Sequence, residues 1–197
     1  DSGLSHFSYA IGCPKAGKMV VIDPSRRIED YLSYATKHSV VISDILDTHI
    51  HADYASGSLE LQNATGATLW QSGYDEGETF QVHFPHRDIY QGDSIQIGAI
   101  RIQARHTPGH TPGHVSVMIK SRDETALITG DFIHHPCQFA HPEWSAAPDS
   151  DPVQAVQTRR EIFAKFSDTP TLIIGTHFAT PTAGYLRRDG DVFRLDV

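Results

Sequence analysis

The stretch "DTHIHADYASG", Asp47 to Gly57, decides how the rest of the chain is read. His49 and His51 are separated by one residue, and Asp53 follows two residues after His51. The stretch directly follows "VVISDIL", a short, mostly apolar run that reads as a buried strand. Two histidines this close do not share a helix face, but they suit a tight loop wrapped around one ion. Imidazole nitrogens and carboxylate oxygens bind zinc at ~2.0–2.2 Å. The residue after Asp53 is Tyr54, a phenol with a pKa near ~10 and a poor ligand while protonated.

Working outward, three more polar clusters follow predicted buried strands. "AIRIQAR" leads to "TPGH" and His110, "TALIT" ends at Asp131, and "TLIIG" runs into His177. Loops at one edge of a rigid sheet can converge on a point. His49, His51, Asp53, His110, Asp131 and His177 are therefore six candidate metal ligands. They are enough to hold one ion fully, or two ions sharing a carboxylate such as Asp131. His106 and His114 flank His110 and are weaker candidates. His6, His38, His83, His86 and His141 read as ordinary surface or core histidines.

The remaining pattern is that of layered α/β structure. "LSHFSYAIG" and "KMVVID" read as strands, and "DPSRRIEDYLSYATKH" as a helix capped by Asp23 with Pro24 in its first turn. "SGSLELQNATG" reads as a helix, "ATLWQS" as a strand, and "DSIQIG" and "AIRIQARH" as a strand pair. Asp151 and Pro152 open a further helix, with Val153, Val156, Phe163 and Phe166 expected on its inner face. A hairpin around "RDGD" closes the chain.

The 197 residues suit a single domain over 1–197, and 39% hydrophobic residues suffice for an ordinary core. A net charge of −8 argues against a nucleic-acid partner, since phosphate binding needs clustered Lys and Arg. No run approaches the ~20 apolar residues of a membrane span, and no secretory pattern is present. Two cysteines, Cys13 and Cys137, do not make a disulfide framework and favour a reducing, cytoplasmic setting. The expected partner is a small-molecule substrate, and the sequence leaves a homodimer open.

"THIHAD", "TPGHTPGH", "LITGD" and "IIGTH", in that order, resemble the metallo-β-lactamase superfamily, and the resemblance covers nearly the whole chain. It implies an αββα sandwich of two mixed sheets flanked by helices, with the site at one edge. It also implies a first metal held by His49, His51 and His110 with Asp131 bridging, and a second held by Asp53, Asp131 and His177. Most members carry a histidine ligand where this chain has Tyr54, so the second site is expected to be weak or empty. One zinc, with two as the upper count, is the expected cofactor. The class of β-lactamases with a cysteine ligand is disfavoured, because Asp131 stands at that position.

The two halves of the chain point to different branches. "VVIDP" and "ILDTHIHADYASG" resemble the persulfide dioxygenase-like branch, where one Fe(II) is held by two His and one Asp, here His49, His110 and Asp131. "TGDFIHHPCQFAHPEWS" through "GTHFATPTAG" resembles lactonase-like and organophosphate-hydrolase-like members. The leading expectation is a metallohydrolase in which metal-bound hydroxide attacks a small ester, lactone, thioester or phosphoester. The alternative is a mononuclear Fe(II) sulfur dioxygenase. Asp53 is placed to orient the nucleophile or move its proton, His134 or His135 to stabilise an oxyanion, and Tyr54 to donate a hydrogen bond. Phe139 and Trp144 are candidate pocket walls or ordinary core aromatics.

Overall fold

The computed structural model describes residues 6–197. The first half of the chain forms a five-stranded sheet in sequential order. Its strands are β1 (Tyr9–Cys13), β2 (Lys18–Ile22), β3 (Val41–Leu46), β4 (Thr68–Ser72) and β5 (Arg87–Ile89). β1 and β2 are antiparallel, and β2 to β5 run parallel. The second half forms a seven-stranded sheet of β6 (Ser94–Ile97), β7 (Ile100–His106), β8 (Val115–Ser121), β9 (Glu124–Ile128), β10 (Thr171–Ile174), β11 (Ala183–Asp189) and β12 (Val192–Asp196). Its pairings are antiparallel except for β9 beside β10.

The side-chain pattern explains the layering. Strand β2 reads "KMVVI" and is buried at every position after Lys18, as a strand covered on both faces must be. Val20 and Ile22 pack between the sheets with Leu46, Ile102, Val115 and Val117. Met19 and Val21 face outward, under Ala35 of α1 (Glu29–Lys37) and Leu61 of α2 (Ser58–Thr65). On the far side, Ile162, Phe163 and Phe166 of α4 (Pro152–Phe166) cover Met118, Leu127 and Ile173 of the second sheet. A short α3 (Cys137–Ala140) adds Phe139 to the same layer. Helix, sheet, sheet and helix stack as expected for an αββα sandwich.

Two local expectations are corrected. Asp23 does not cap a helix: α1 begins at Glu29, and the Asp23 carboxylate is used elsewhere. The inner face of α4 is Ala155, Thr158, Arg159, Ile162, Phe163 and Phe166, a stripe at helical spacing, while Val153 is 81% exposed. The buried Arg159 disguised that stripe. Its Nε donates to Pro142 O at 2.9 Å and its Nη1 to Phe132 O at 3.2 Å. The short β5 carried no clear apolar signal. Other readings hold: Asp151 caps α4 by accepting the Gln154 N–H at 3.0 Å, and β11 and β12 form the closing hairpin. Of the first expected strand, Leu4 and Ser5 lie outside the described residues.

The layering sets the site. β3, β7, β9 and β10 deliver His49, His110, Asp131 and His177 in the loops that follow them. Gly109 fixes one of those loops, with φ +126° and space for a Cβ only 2.3 Å from Ala155 N. Its carbonyl accepts the Asp151 N–H at 2.9 Å, tying the His110 loop to the start of α4. Gly109→Ala is expected to cost on the order of 3 kcal/mol through strain and collision with backbone, read as a fall in denaturation midpoint. A midpoint equal to wild type contradicts this account of the loop.

Candidate metal centre

Asp131 stands at the middle of four histidines. Its Oδ2 lies 3.1 Å from His177 Nε2, 3.6 Å from His49 Nε2, 3.6 Å from His134 Nε2 and 3.7 Å from His110 Nε2. The side chain is buried, and Oδ1 has no hydrogen-bond partner among the described residues. A buried carboxylate oxygen without a partner is costly unless something else coordinates it. Burial alone raises the Asp131 pKa, but His49 and His177 outweigh it and hold the carboxyl well below its usual range. Burial pushes the His49 imidazole well below its ordinary value, which favours the neutral, ligating form. Ligand atoms of His49, His110 and Asp131 all lie within 4.8 Å of one another. The donor types, the burial and the orphaned oxygen together fit a divalent cation.

His49, His51, His110 and His114 are each held from behind, as metal-binding imidazoles usually are. The Thr48 hydroxyl donates to Asp23 Oδ2 at 2.9 Å, so it is free to accept from His49 Nδ1 at 3.0 Å. That assignment leaves the His49 Nε2 lone pair facing Asp131. His51 Nε2 lies 3.1 Å from Asp23 Oδ1, and Asp23 outweighs burial to raise the His51 pKa to about 9. His110 Nδ1 donates to Asp149 Oδ1 at 3.3 Å, and Asp149 lies 3.5 Å from buried Arg159. The Asp131 backbone N–H donates to His114 Nε2 at 2.7 Å. The His114 Nδ1–H therefore points to the Thr107 hydroxyl at 2.8 Å, and burial keeps this imidazole neutral, with its pKa lowered to about 3.

The expected site residues fall into overlapping clusters. His49, His110 and Asp131 form one, and Asp131, His134 and His177 a second. Asp53 is exposed and groups with His177 and His6. His51 stands beside His49, with ring centroids 4.2 Å apart, but its Nε2 groups with Asp23 and Asp47. Its Nδ1 is the nitrogen left for a metal. Tyr54 packs against His51 and His6, with its hydroxyl buried, and burial raises its pKa.

Between the two loop histidines, His134 faces the centre. His135 is exposed, and its Nδ1 accepts the Cys137 N–H. His106 stacks on Tyr74 at 3.9 Å, away from Asp131. Phe139 is core, and Trp144 is exposed and stacked on His141, so neither is a pocket wall. A cleft of about 560 Å³ instead opens beside His51 and His110, lined by Ile50, Phe80, Pro112 and Pro148 with Asp75 and Glu78.

Sequence reasoning missed Asp23, Asp149 and His6. Asp23 mimics a helix cap in its sequence context. Asp149 lies in an irregular loop without a motif. His6 is brought near the site by the segment leading into β1, where the Phe7 N–H donates to Thr176 O at 3.1 Å.

A family model described as the metallo-β-lactamase superfamily matches residues 2–177. The chain belongs to that superfamily. It is 31% identical over 129 residues to a hydroxyacylglutathione hydrolase from Hyphomonas neptunium, covering 65% of this chain and 48% of that protein. A Rhodospirillum rubrum protein of the same name is 32% identical over 126 residues, covering 64% of this chain and 47% of that protein. The chain thus spans about half the length of the curated relatives it matches. Among solved structures, a metallo-β-lactamase from Staphylococcus aureus superposes with a TM-score of 0.77 at 27% identity, covering 99% of this chain and 57% of that one. ETHE1 from Myxococcus xanthus shares the fold, with a TM-score of 0.72 at 24% identity over 94% of this chain and 76% of that one.

Asp149 touches His110 rather than a metal, so its loss tests the supporting shell. Asp149→Asn is expected to weaken metal binding by roughly 10- to 100-fold with the fold retained. Competition against a chelator of known affinity measures it, and an unchanged affinity removes Asp149 from the centre.

Proposed function

We propose, from membership of this superfamily and the buried His49, His110 and Asp131 cluster beside the cleft, that the chain is a metal-dependent hydrolase of small thioesters and related esters or lactones. The observation that carries this reading is the cluster itself: three convergent ligand-type groups next to a mainly apolar cavity. A divalent cation held there supplies a Lewis acid and lowers the pKa of a ligating water to ~7. His49, His110 and Asp131 would hold it, with His51 Nδ1 as a further donor. The names of the curated relatives support a thioester. Among the described residues the cleft lining includes Asp75 and Glu78 and no Lys or Arg, which disfavours multiply anionic phosphoesters.

The chain's own groups divide the remaining work. Asp53, exposed and grouped with His177, would orient the attacking water and take its proton. His134 stands with its ring 5.1 Å from that of His110 and can direct an N–H toward a developing oxyanion. Ile50, Phe80 and Pro112 offer an apolar wall for the acyl group. Burial keeps His49 neutral and the surrounding imidazoles keep Asp131 anionic, as cation binding requires.

A second reading rests on one specific feature. The compact buried trio is two histidines and one carboxylate, a donor set suited to Fe(II) and oxygen chemistry. Elemental analysis with a panel of thioesters, lactones and glutathione persulfide separates the two. Zinc with ester or thioester turnover supports the hydrolase. Iron alone, with oxygen uptake on the persulfide and no ester turnover, overturns it.

His110→Ala should lose most bound metal and activity and, because metal favours the folded state, some thermal stability. His106→Ala should keep its metal, since His106 is occupied by Tyr74 and the Pro112 carbonyl. Equal metal loss in both variants refutes the assignment. Asp131→Asn keeps the shape but removes the central charge, so occupancy should fall at every site. Full occupancy by elemental analysis would place Asp131 outside the centre.

A further inference from the structure

We propose that His6 is a metal ligand, completing with Asp53 and His177 a second site that the motif around Tyr54 leaves short of a nitrogen. The proposal rests on the metal centre described above and adds one residue to it from a distant part of the chain.

Three observations converge on His6. Its ligand atom lies within 4.8 Å of those of Asp53 and His177, which themselves come from separate loops. Ligands ~2.1 Å from a tetrahedral zinc sit roughly 3.4 Å apart, so modest closure brings this trio to bonding geometry. The imidazole is also buried, only 3% exposed, although it lies ahead of β1 near the start of the described chain. Finally, its backbone neighbour is fixed to the loop that carries His177: the Phe7 N–H donates to Thr176 O, and Tyr9 Oη donates to Gly175 O at 3.2 Å. An imidazole held this way is preorganised for a site rather than delivered by a floppy end.

Tyr54 explains why a replacement is needed. The phenol ring lies against His6 at 4.3 Å and against His51 at 4.5 Å, and its hydroxyl is buried. It therefore fills the wall beside the site with an aromatic ring. A histidine at position 54 would supply the nitrogen from the local loop. Here the same volume is taken by an aromatic ring, and the nitrogen comes from His6, packed on that ring. His177 belongs to both the Asp131 cluster and the His6 cluster, so it joins the two positions.

Cobalt(II) titration of the metal-free protein tests this. The wild-type chain should take up two cobalt ions with ligand-field absorption from each, and His6→Ala should take up one. Near-ultraviolet circular dichroism of metal-free His6→Ala, equal to wild type, shows that the fold is intact. His6→Cys should restore the second ion and add a thiolate-to-cobalt charge-transfer band absent from the wild type, which carries Cys13 and Cys137 unchanged. Two ions bound by His6→Ala, or a second ion in His6→Cys without that band, overturns the proposal. One ion in the wild type also overturns it while leaving the hydrolase reading standing. No bound ion at all overturns both.

Discussion

A single buried carboxylate organises this molecule's functional edge. Asp131 carries charge where charge is expensive, and four imidazoles surround one of its oxygens. A buried anion is tolerated only with such company. Its backbone is fixed as firmly as its side chain. The N–H rests on His114, which rests in turn on Thr107, and the Thr107 hydroxyl contacts Ser116. Moving Asp131 therefore disturbs β8 as well as the loop it sits in. The apolar strands ending beneath it, "TALI" and "TLII", make that edge rigid enough to bear the arrangement.

The supporting residues show how much of a site lies outside its motifs. Asp23, Thr48 and Asp149 touch no substrate space, yet they select which nitrogen of His49, His51 and His110 faces inward. Arg159 serves two ends at once. It tethers the Phe132 and Pro142 carbonyls beside the centre and stands near Asp149. A fully buried guanidinium is stable only because those partners are in place.

The layered fold was legible because its signals are local. Apolar strands, an Asp-Pro helix start and a Gly-centred hairpin need no knowledge of distant contacts. The convergence of His49, His110, Asp131 and His177 was legible because each lies in the loop that follows such a strand. Asp23 was misread, since an Asp before Pro looks like a helix cap unless Thr48 and His51 are known to approach it. Val153 was placed inward because Arg159 hid the true stripe of α4. His6 was passed over as an ordinary histidine because nothing in "LSHFSY" indicates that it meets residues 53 and 177 in space. Long-range juxtaposition is the information that local pattern lacks.

The division of the chain into two sheets has a mechanical consequence. Residues up to Ile89 build one sheet and residues from Ser94 build the other, joined covalently by a short connector. His49 comes from the first half, and His110 and Asp131 from the second. An ion bound to all three is a cross-link that closes a loop of some sixty residues and rivets the two halves together. Such a rivet resists prying the sheets apart far more than it stiffens either sheet. Losing the ion would therefore loosen the two sheets from each other before it loosened either one.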